Sequence, residues 1–138
     1  MAHQLSKAFS SACSECIHGH SYVLELFFVS EDLDETGMVV DFGQIKNILK
    51  EKCVDKWDHA LVMHAVMNPE YLNILKKYNS KVIELSDNPT AEVMAKIMYN
   101  EIKTILDKEL PDREFAFEKV RLHETKTGWA EYVSCSVY

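Results

Sequence analysis

The clearest pattern along the chain is the alternation of apolar and polar residues over 19–30, with Tyr22-Val23-Leu24-Glu25-Leu26-Phe27 at its centre. Side chains on a pleated backbone point alternately to its two faces, so this period of two predicts a strand. A looser alternation over 3–12 puts Leu5, Lys7, Phe9 and Ser11 on one side and predicts another strand. The acidic stretch Ser30 to Gly37 reads as a turn. From Phe42 the period changes: Phe42, Ile45, Ile48, Leu49 and Cys53 fall on one helical face, with Asp41 placed to cap it. Residues 55–88 carry no clear period. Asn88-Pro89-Thr90-Ala91-Glu92 marks a second helix start, with Asn88 as cap, Pro89 in the first turn and Glu92 near the positive helix end. Met94, Ile97, Met98, Ile102 and Ile105 continue that helix towards Pro111.

The C-terminal part alternates again. Phe115 and Phe117, then Val120, Leu122 and Glu124, predict one strand with a shift inside it. Lys126-Thr127-Gly128 forms a hairpin-like turn, and Trp129 to Tyr138 forms the last strand. The order strand, strand, helix, helix, strand, strand predicts an α+β layer: an antiparallel four-stranded sheet with two helices on one face. A sheet this small leaves edges unpaired, so edge-to-edge oligomerisation is expected.

Composition narrows the picture. A chain of 138 residues can bury one core, and a single domain over residues 1–138 is expected. The formal charge of −7 argues against a nucleic-acid-binding face. No apolar run is long enough to span a bilayer, and Met1 to Lys7 lacks the apolar core of a secretory signal. A reducing, cytoplasmic setting is therefore expected, with Cys53 and Cys135 as inert core thiols.

The densest chemistry lies in Cys13-Ser14-Glu15-Cys16-Ile17-His18-Gly19-His20. Two histidines at i and i+2 entering a strand share a face. With two thiols and a carboxylate upstream, they are the raw material of a zinc site.

In register, Phe9-Ser-Ser-Ala, His18-Gly-His20, Gly37-Met-Val-Val-Asp41-Phe42, Asp58-His59, Pro89-Thr90-Ala-Glu92 and Glu124-Thr125 with Ala130 and Tyr132 resemble the 6-pyruvoyltetrahydropterin synthase and 6-carboxytetrahydropterin synthase family. The resemblance runs over nearly the whole chain. It implies the tunnelling fold, in which trimers close into an oligomeric barrel and stack as a homohexamer (a dimer of trimers). It also implies Zn2+ and a small-molecule pterin substrate of the 7,8-dihydroneopterin triphosphate type, bound at a subunit interface.

The resemblance also assigns roles. His18 and His20 hold the metal. The family's third histidine follows a Phe-x-Ala-Ala segment, and here that position is Cys13, which becomes the expected third ligand. The family's usual cysteine falls at Ser14, too weak an acid to replace it. A variant subgroup carries a glutamate one residue later, where Glu15 stands, so Glu15 is the expected proton-transfer group and Cys16 the next. Asp58-His59 matches a carboxylate–histidine pair for proton handling. Glu124 can accept two parallel N–H bonds from a pterin edge, and Thr90 can add a hydroxyl. Lys7 and Lys126 are cations that could meet a phosphate. The expected activity is a zinc-dependent lyase reaction giving a 6-pyruvoyl or 6-carboxy tetrahydropterin. Two alternatives stay open: cleavage to 6-hydroxymethyl-7,8-dihydropterin, and a pterin-binding oligomer without catalysis.

Overall fold

The computed structural model describes residues 1–79 and 81–134. Its strands are β1 (Ala2–Gln4), β2 (His18–Gly19), β3 (Val23–Val29), β4 (Leu61–His64), β5 (Val82–Leu85), β6 (Ala116–His123) and β7 (Trp129–Val133). Its helices are α1 (Ser11–Glu15), α2 (Phe42–Leu49), α3 (Asp55–Trp57), α4 (Pro69–Tyr78) and α5 (Ala91–Glu109), and a π-helical stretch, Lys50–Val54, joins α2 to α3. No helix among the described residues is long and apolar enough to cross a membrane.

The class is α+β as expected, but the single antiparallel four-stranded sheet is replaced by two sheets. The first is mixed, in the order β2-β1-β4-β5, and the second is antiparallel, in the order β3-β6-β7. The difference arises in the region without a clear period. There β4, α4 and β5 form a strand–helix–strand unit, with β4 parallel to both β1 and β5. Leu61, Val62 and Met63 are buried in succession, so the strand shows a short apolar run and no alternation. Asn68 caps α4, its side chain accepting from the backbone of Glu70 and Tyr71.

The first predicted strand also shortens. The chain leaves the sheet after Gln4, and residues 11–15 coil into α1. Two hydrogen bonds fold α1 back on that strand: Leu5 N to the Cys13 carbonyl (3.0 Å) and Gln4 Nε2 to the Ser14 carbonyl (2.9 Å). Phe9 is therefore left fully exposed.

Strands β3 and β6 follow the expected pattern closely. The register slips between Phe27, opposite Lys119, and Phe28, opposite Phe117, which makes Glu118 the extra residue of a β-bulge. That bulge carries the apolar set from Phe117 to Val120, both buried, and accounts for the shift read in the sequence. The last strand begins at Trp129 as expected; Cys135 and the end of that segment lie outside the described residues.

Helix α5 crosses the antiparallel sheet. Met94, Ala95, Met98, Tyr99, Ile102 and Leu106 are buried at helical spacing against Phe117, Val120 and Leu122. The Tyr99 hydroxyl donates to the Phe117 carbonyl at 3.1 Å, so this polar atom is buried without losing its partner. Asp41 caps α2 as predicted, accepting from the backbone of Gly43 (2.6 Å) and Gln44 (3.1 Å). Ile45, Leu49 and Cys53 turn inward, but Phe42 is 84% exposed. It stands at a cavity of about 770 Å³ between α2, β3 and α5.

One predicted cap moves. Asn88 does not cap α5, because its side chain is committed elsewhere: Oδ1 accepts from Ser6 N (2.7 Å) and Nδ2 donates to the Lys7 carbonyl (2.7 Å). Thr90 caps the helix instead, its hydroxyl oxygen accepting from Val93 N at 3.4 Å. Pro89 then stands before the cap, and its carbonyl lies outside the helical ladder.

Candidate metal and small-molecule site

His18 and His20 share a face, as their spacing predicts: the ring centroids are 5.1 Å apart and nearly perpendicular. The third imidazole beside them is that of His3. The ladder between β1 and β2 places His3 directly opposite His18, and its ring centroid lies 4.5 Å from that of His18 and 5.4 Å from that of His20. Among the described residues, His3, His18 and His20 form a group whose potential ligand atoms all lie within 4.8 Å of one another. Cys13, expected as the third ligand, is outside this group. It sits half-buried on α1, because the first strand ends nine residues too early to carry it to the triad.

The hydrogen bonds around the triad fix the ring tautomers. His3 Nδ1 lies 2.8 Å from the Pro89 carbonyl, and His18 Nδ1 lies 3.1 Å from the Cys16 carbonyl. A carbonyl can only accept, so each Nδ1 carries the proton and each Nε2 keeps its lone pair. Those two Nε2 atoms face one another at 3.1 Å. Two lone pairs at that distance repel unless a cation sits between them. Nitrogen ligands about 2.0–2.1 Å from a tetrahedral zinc stand roughly 3.3 Å apart, so the spacing suits a shared ion. His3 is only 2% exposed, and its pKa is lowered chiefly by burial, with the neighbouring imidazoles adding to the effect. Burial therefore keeps the ring neutral, which is the form that binds metals. The donor set fits a divalent ion of the zinc type.

Glu124 completes this cluster. Its Oε1 lies 3.5 Å from His3 Nε2 and 3.9 Å from His20 Nε2, and the side chain is 30% exposed. The tight turn after β6 fixes its backbone: Glu124 N and Thr125 N both donate to the Gly128 carbonyl, at 3.0 and 3.1 Å. A Cβ at Gly128 would come within 3.0 Å of Thr125 Oγ1, which itself accepts from Gly128 N. A side chain there would need Thr125 to give by a few tenths of an ångström. Tyr22, two residues beyond His20, donates its phenolic proton to Glu124 Oε1 at 3.0 Å. Burial, then the Glu124 charge, raises the Tyr22 pKa far above the ordinary phenol range, so the donor is kept.

The remaining predicted residues lie further out. Glu15 ends α1 and is exposed, as is Cys16 beyond it. The backbone of Cys16 nevertheless orients His18 through the carbonyl already described. Asp58 and His59 pair with each other (Oδ2 to Nδ1, 3.1 Å) on an open turn, their side chains 61% and 87% exposed. The His59 partner lowers the Asp58 pKa. His59 holds φ at 58°, in the left-handed region that few non-glycine residues enter. Thr90 spends its hydroxyl oxygen on capping. His123 points away from the triad, to Glu25 at 2.9 Å. His64 is half-buried at the end of β4. Its Nδ1 accepts from the Ser6 hydroxyl at 2.6 Å and its Nε2 donates to the Ser86 carbonyl at 3.0 Å.

Sequence reasoning missed His3 as a ligand. The available signal was modest: a histidine at the second position of a short N-terminal strand, where pairing to His18-Gly19 sets two imidazoles face to face.

A small α+β domain with three convergent imidazoles and an adjoining carboxylate can hold a divalent metal against a small organic molecule. The chain belongs to the 6-pyruvoyl tetrahydropterin synthase family, whose model matches residues 1–135. It is 36% identical over 115 residues to a 6-carboxy-5,6,7,8-tetrahydropterin synthase of Rickettsia bellii, covering 83% of this chain and 81% of the relative. The Aquifex aeolicus protein of the same name is 39% identical over 119 residues, covering 84% and 73%. In fold, the chain resembles a Plasmodium vivax 6-pyruvoyltetrahydropterin synthase solved as a catalytic-residue mutant, with a TM-score of 0.67, 17% identity, and coverage of 95% and 87%.

Proposed function

We propose that this protein is a zinc-dependent 6-carboxy-5,6,7,8-tetrahydropterin synthase, a lyase acting on 7,8-dihydroneopterin triphosphate in the cytoplasm as a dimer of trimers. The observation that carries this reading is the convergence of the His3, His18 and His20 lone pairs within 4.8 Å, beside Glu124. The name carried by the Rickettsia and Aquifex relatives supports the choice of product.

His3, His18 and His20 would hold the ion. Lewis acidity towards the hydroxyl and carbonyl oxygens of the substrate side chain is what zinc supplies when bound. Glu124 accepts the amino-pyrimidinone edge of the pterin, a two-point contact that fixes which side chain reaches the imidazoles. Glu15 moves the proton from the activated carbon. Support for a carboxylate in that role comes from the Plasmodium vivax neighbour, whose catalytic residue is a glutamate changed to alanine. Cys16, one residue further on, is the second candidate. Asp58 and His59, exposed and strained on their turn, suit a proton-handling pair presented to the site of a neighbouring subunit. Thr90 contributes at most its hydroxyl proton, since the oxygen caps α5.

The test is incubation of the zinc-loaded protein with 7,8-dihydroneopterin triphosphate and identification of the products by mass spectrometry. The expected product is 6-carboxytetrahydropterin. A 6-pyruvoyl or 6-hydroxymethyl product would transfer the protein to another branch of the same chemistry. Unchanged substrate, with pterin still bound, would leave a binding oligomer and overturn the enzyme reading.

A further inference from the structure

Glu124 and the triad do not meet by chance of packing, because a third side chain holds the carboxylate there. Tyr22 stands edge-on to two of the rings, its own ring centroid 6.0 Å from that of His3 at 90° and 5.7 Å from that of His20 at 83°. Its phenol oxygen lies 3.4 Å from both nitrogens of the His3 ring. The single phenolic proton has one acceptor that cannot itself donate, the Glu124 carboxylate at 3.0 Å. His3 Nδ1 is already committed to Pro89, and the lone pair on His3 Nε2 is the more distant acceptor, at 3.4 Å against 3.0 Å for Glu124 Oε1. The ring is anchored at its base by the chain that carries His20, and the carboxylate by the turn closed at Gly128.

The geometry points to Tyr22 as a positioning residue: its phenol holds the Glu124 carboxylate against the three imidazoles, where one negative charge would offset half that of a bound divalent cation. The carboxylate does not need to ligate the ion to act. Outer partners that orient ligands or balance charge typically change metal affinity 10–100-fold. Glu124 supplies the charge, and Tyr22 supplies the orientation. This inference rests on the metal-site part of the proposed function, but not on the pterin substrate.

A double-mutant cycle on the full-length protein separates the two. Metal-free wild type, Tyr22→Phe, Glu124→Gln and the double variant are titrated with cobalt(II), followed by visible absorption and by zinc competition. Glu124→Gln is expected to weaken cobalt binding about tenfold. Tyr22→Phe keeps the ring packing and removes only the hydroxyl, and a loss of about three- to tenfold is expected. In the Glu124→Gln background, the Tyr22 change is expected to cost less than about twofold, because there is no longer a charge to orient. Thermal melting of the metal-free proteins checks the fold. Wild-type affinity in Tyr22→Phe, independent effects in the double variant, or failure of Tyr22→Phe to fold would each overturn the positioning role. Coupled cobalt affinities with no pterin product would leave this inference standing and remove the proposed substrate. Absence of cobalt binding in wild type would remove both.

Discussion

His3 and His18 face each other across β1 and β2 with their Nε2 atoms 3.1 Å apart, and both rings have their other nitrogen fixed by a backbone carbonyl. The relationship turns two strand residues into two of the three donors of the candidate metal site. It also moves the third ligand from the region around residue 13 to the start of the chain.

His3→Ala is therefore expected to abolish stoichiometric zinc binding, measured by elemental analysis after gel filtration, while Cys13→Ser is expected to retain about one zinc per subunit. Loss of zinc in Cys13→Ser with retention in His3→Ala would restore the thiol as the ligand.

Glu15 is exposed at the end of α1, so its replacement tests chemistry and not architecture. Glu15→Gln is expected to lower kcat by about 10²–10⁴-fold, the usual range for a lost general acid or base, with zinc content unchanged. If Cys16→Ala shows that loss and Glu15→Gln does not, the proton-transfer role belongs to the thiol.

Asn88 ties the segment after β1 to the start of α5 through Ser6 N and the Lys7 carbonyl. Asn88→Ala leaves two backbone groups without these partners and should cost about 1–3 kcal/mol in urea unfolding. It should also weaken zinc binding, because the Pro89 carbonyl that sets the His3 tautomer is its immediate neighbour. Unchanged affinity would show that Pro89 keeps its place without the tether.

Burial pushes the Cys53 thiol up to about 11 from its ordinary value of 9.0. The folded chain keeps a proton that the unfolded chain releases between those values. The contribution of this thiol to stability is therefore level below pH 9 and declines as pH rises towards 11. Urea midpoints measured across that range should fall more steeply in wild type than in Cys53→Ala. At pH 8, iodoacetamide should label exposed Cys16 in the native state and reach Cys53 only after unfolding.

Ile102 is fully buried at the centre of α5, against the antiparallel sheet. Ile102→Ala should lower the unfolding free energy by about 2–5 kcal/mol, the range for a large-to-small change in a packed core. A loss under 1 kcal/mol would mean that the site collapses around the smaller side chain.

Much of this architecture is legible in the chain where one physical signal dominates. The two periods place β3, β6, α2 and α5, and even the bulge at Glu118 appears as a slip in the apolar spacing. The β4–α4–β5 unit is not legible, because β4 is covered on both faces and loses its alternation, β5 is short, and α4 has a short apolar face. The α5 cap was misread for a different reason. Asn88 and Thr90 both have capping side chains, and only the distant Ser6–Lys7 segment decides that Asn88 is occupied. The site divides along the same line. His18 and His20 are local and readable from spacing, whereas His3 joins them through a cross-strand register that no local window contains. Glu124 was found through the family resemblance, and Tyr22, although next to the motif, gave no sign of its bond across 102 positions.

Pro89 lies one residue ahead of the Thr90 cap, and its free carbonyl holds His3, so the longest helix and the first strand are stitched at the ion's doorstep. A metal held by His3 would thereby clamp both ends of an 86-residue span in one stroke. Amide exchange in the opening turn of α5 should slow on zinc addition, making a distant helix the gauge of occupancy at the imidazoles.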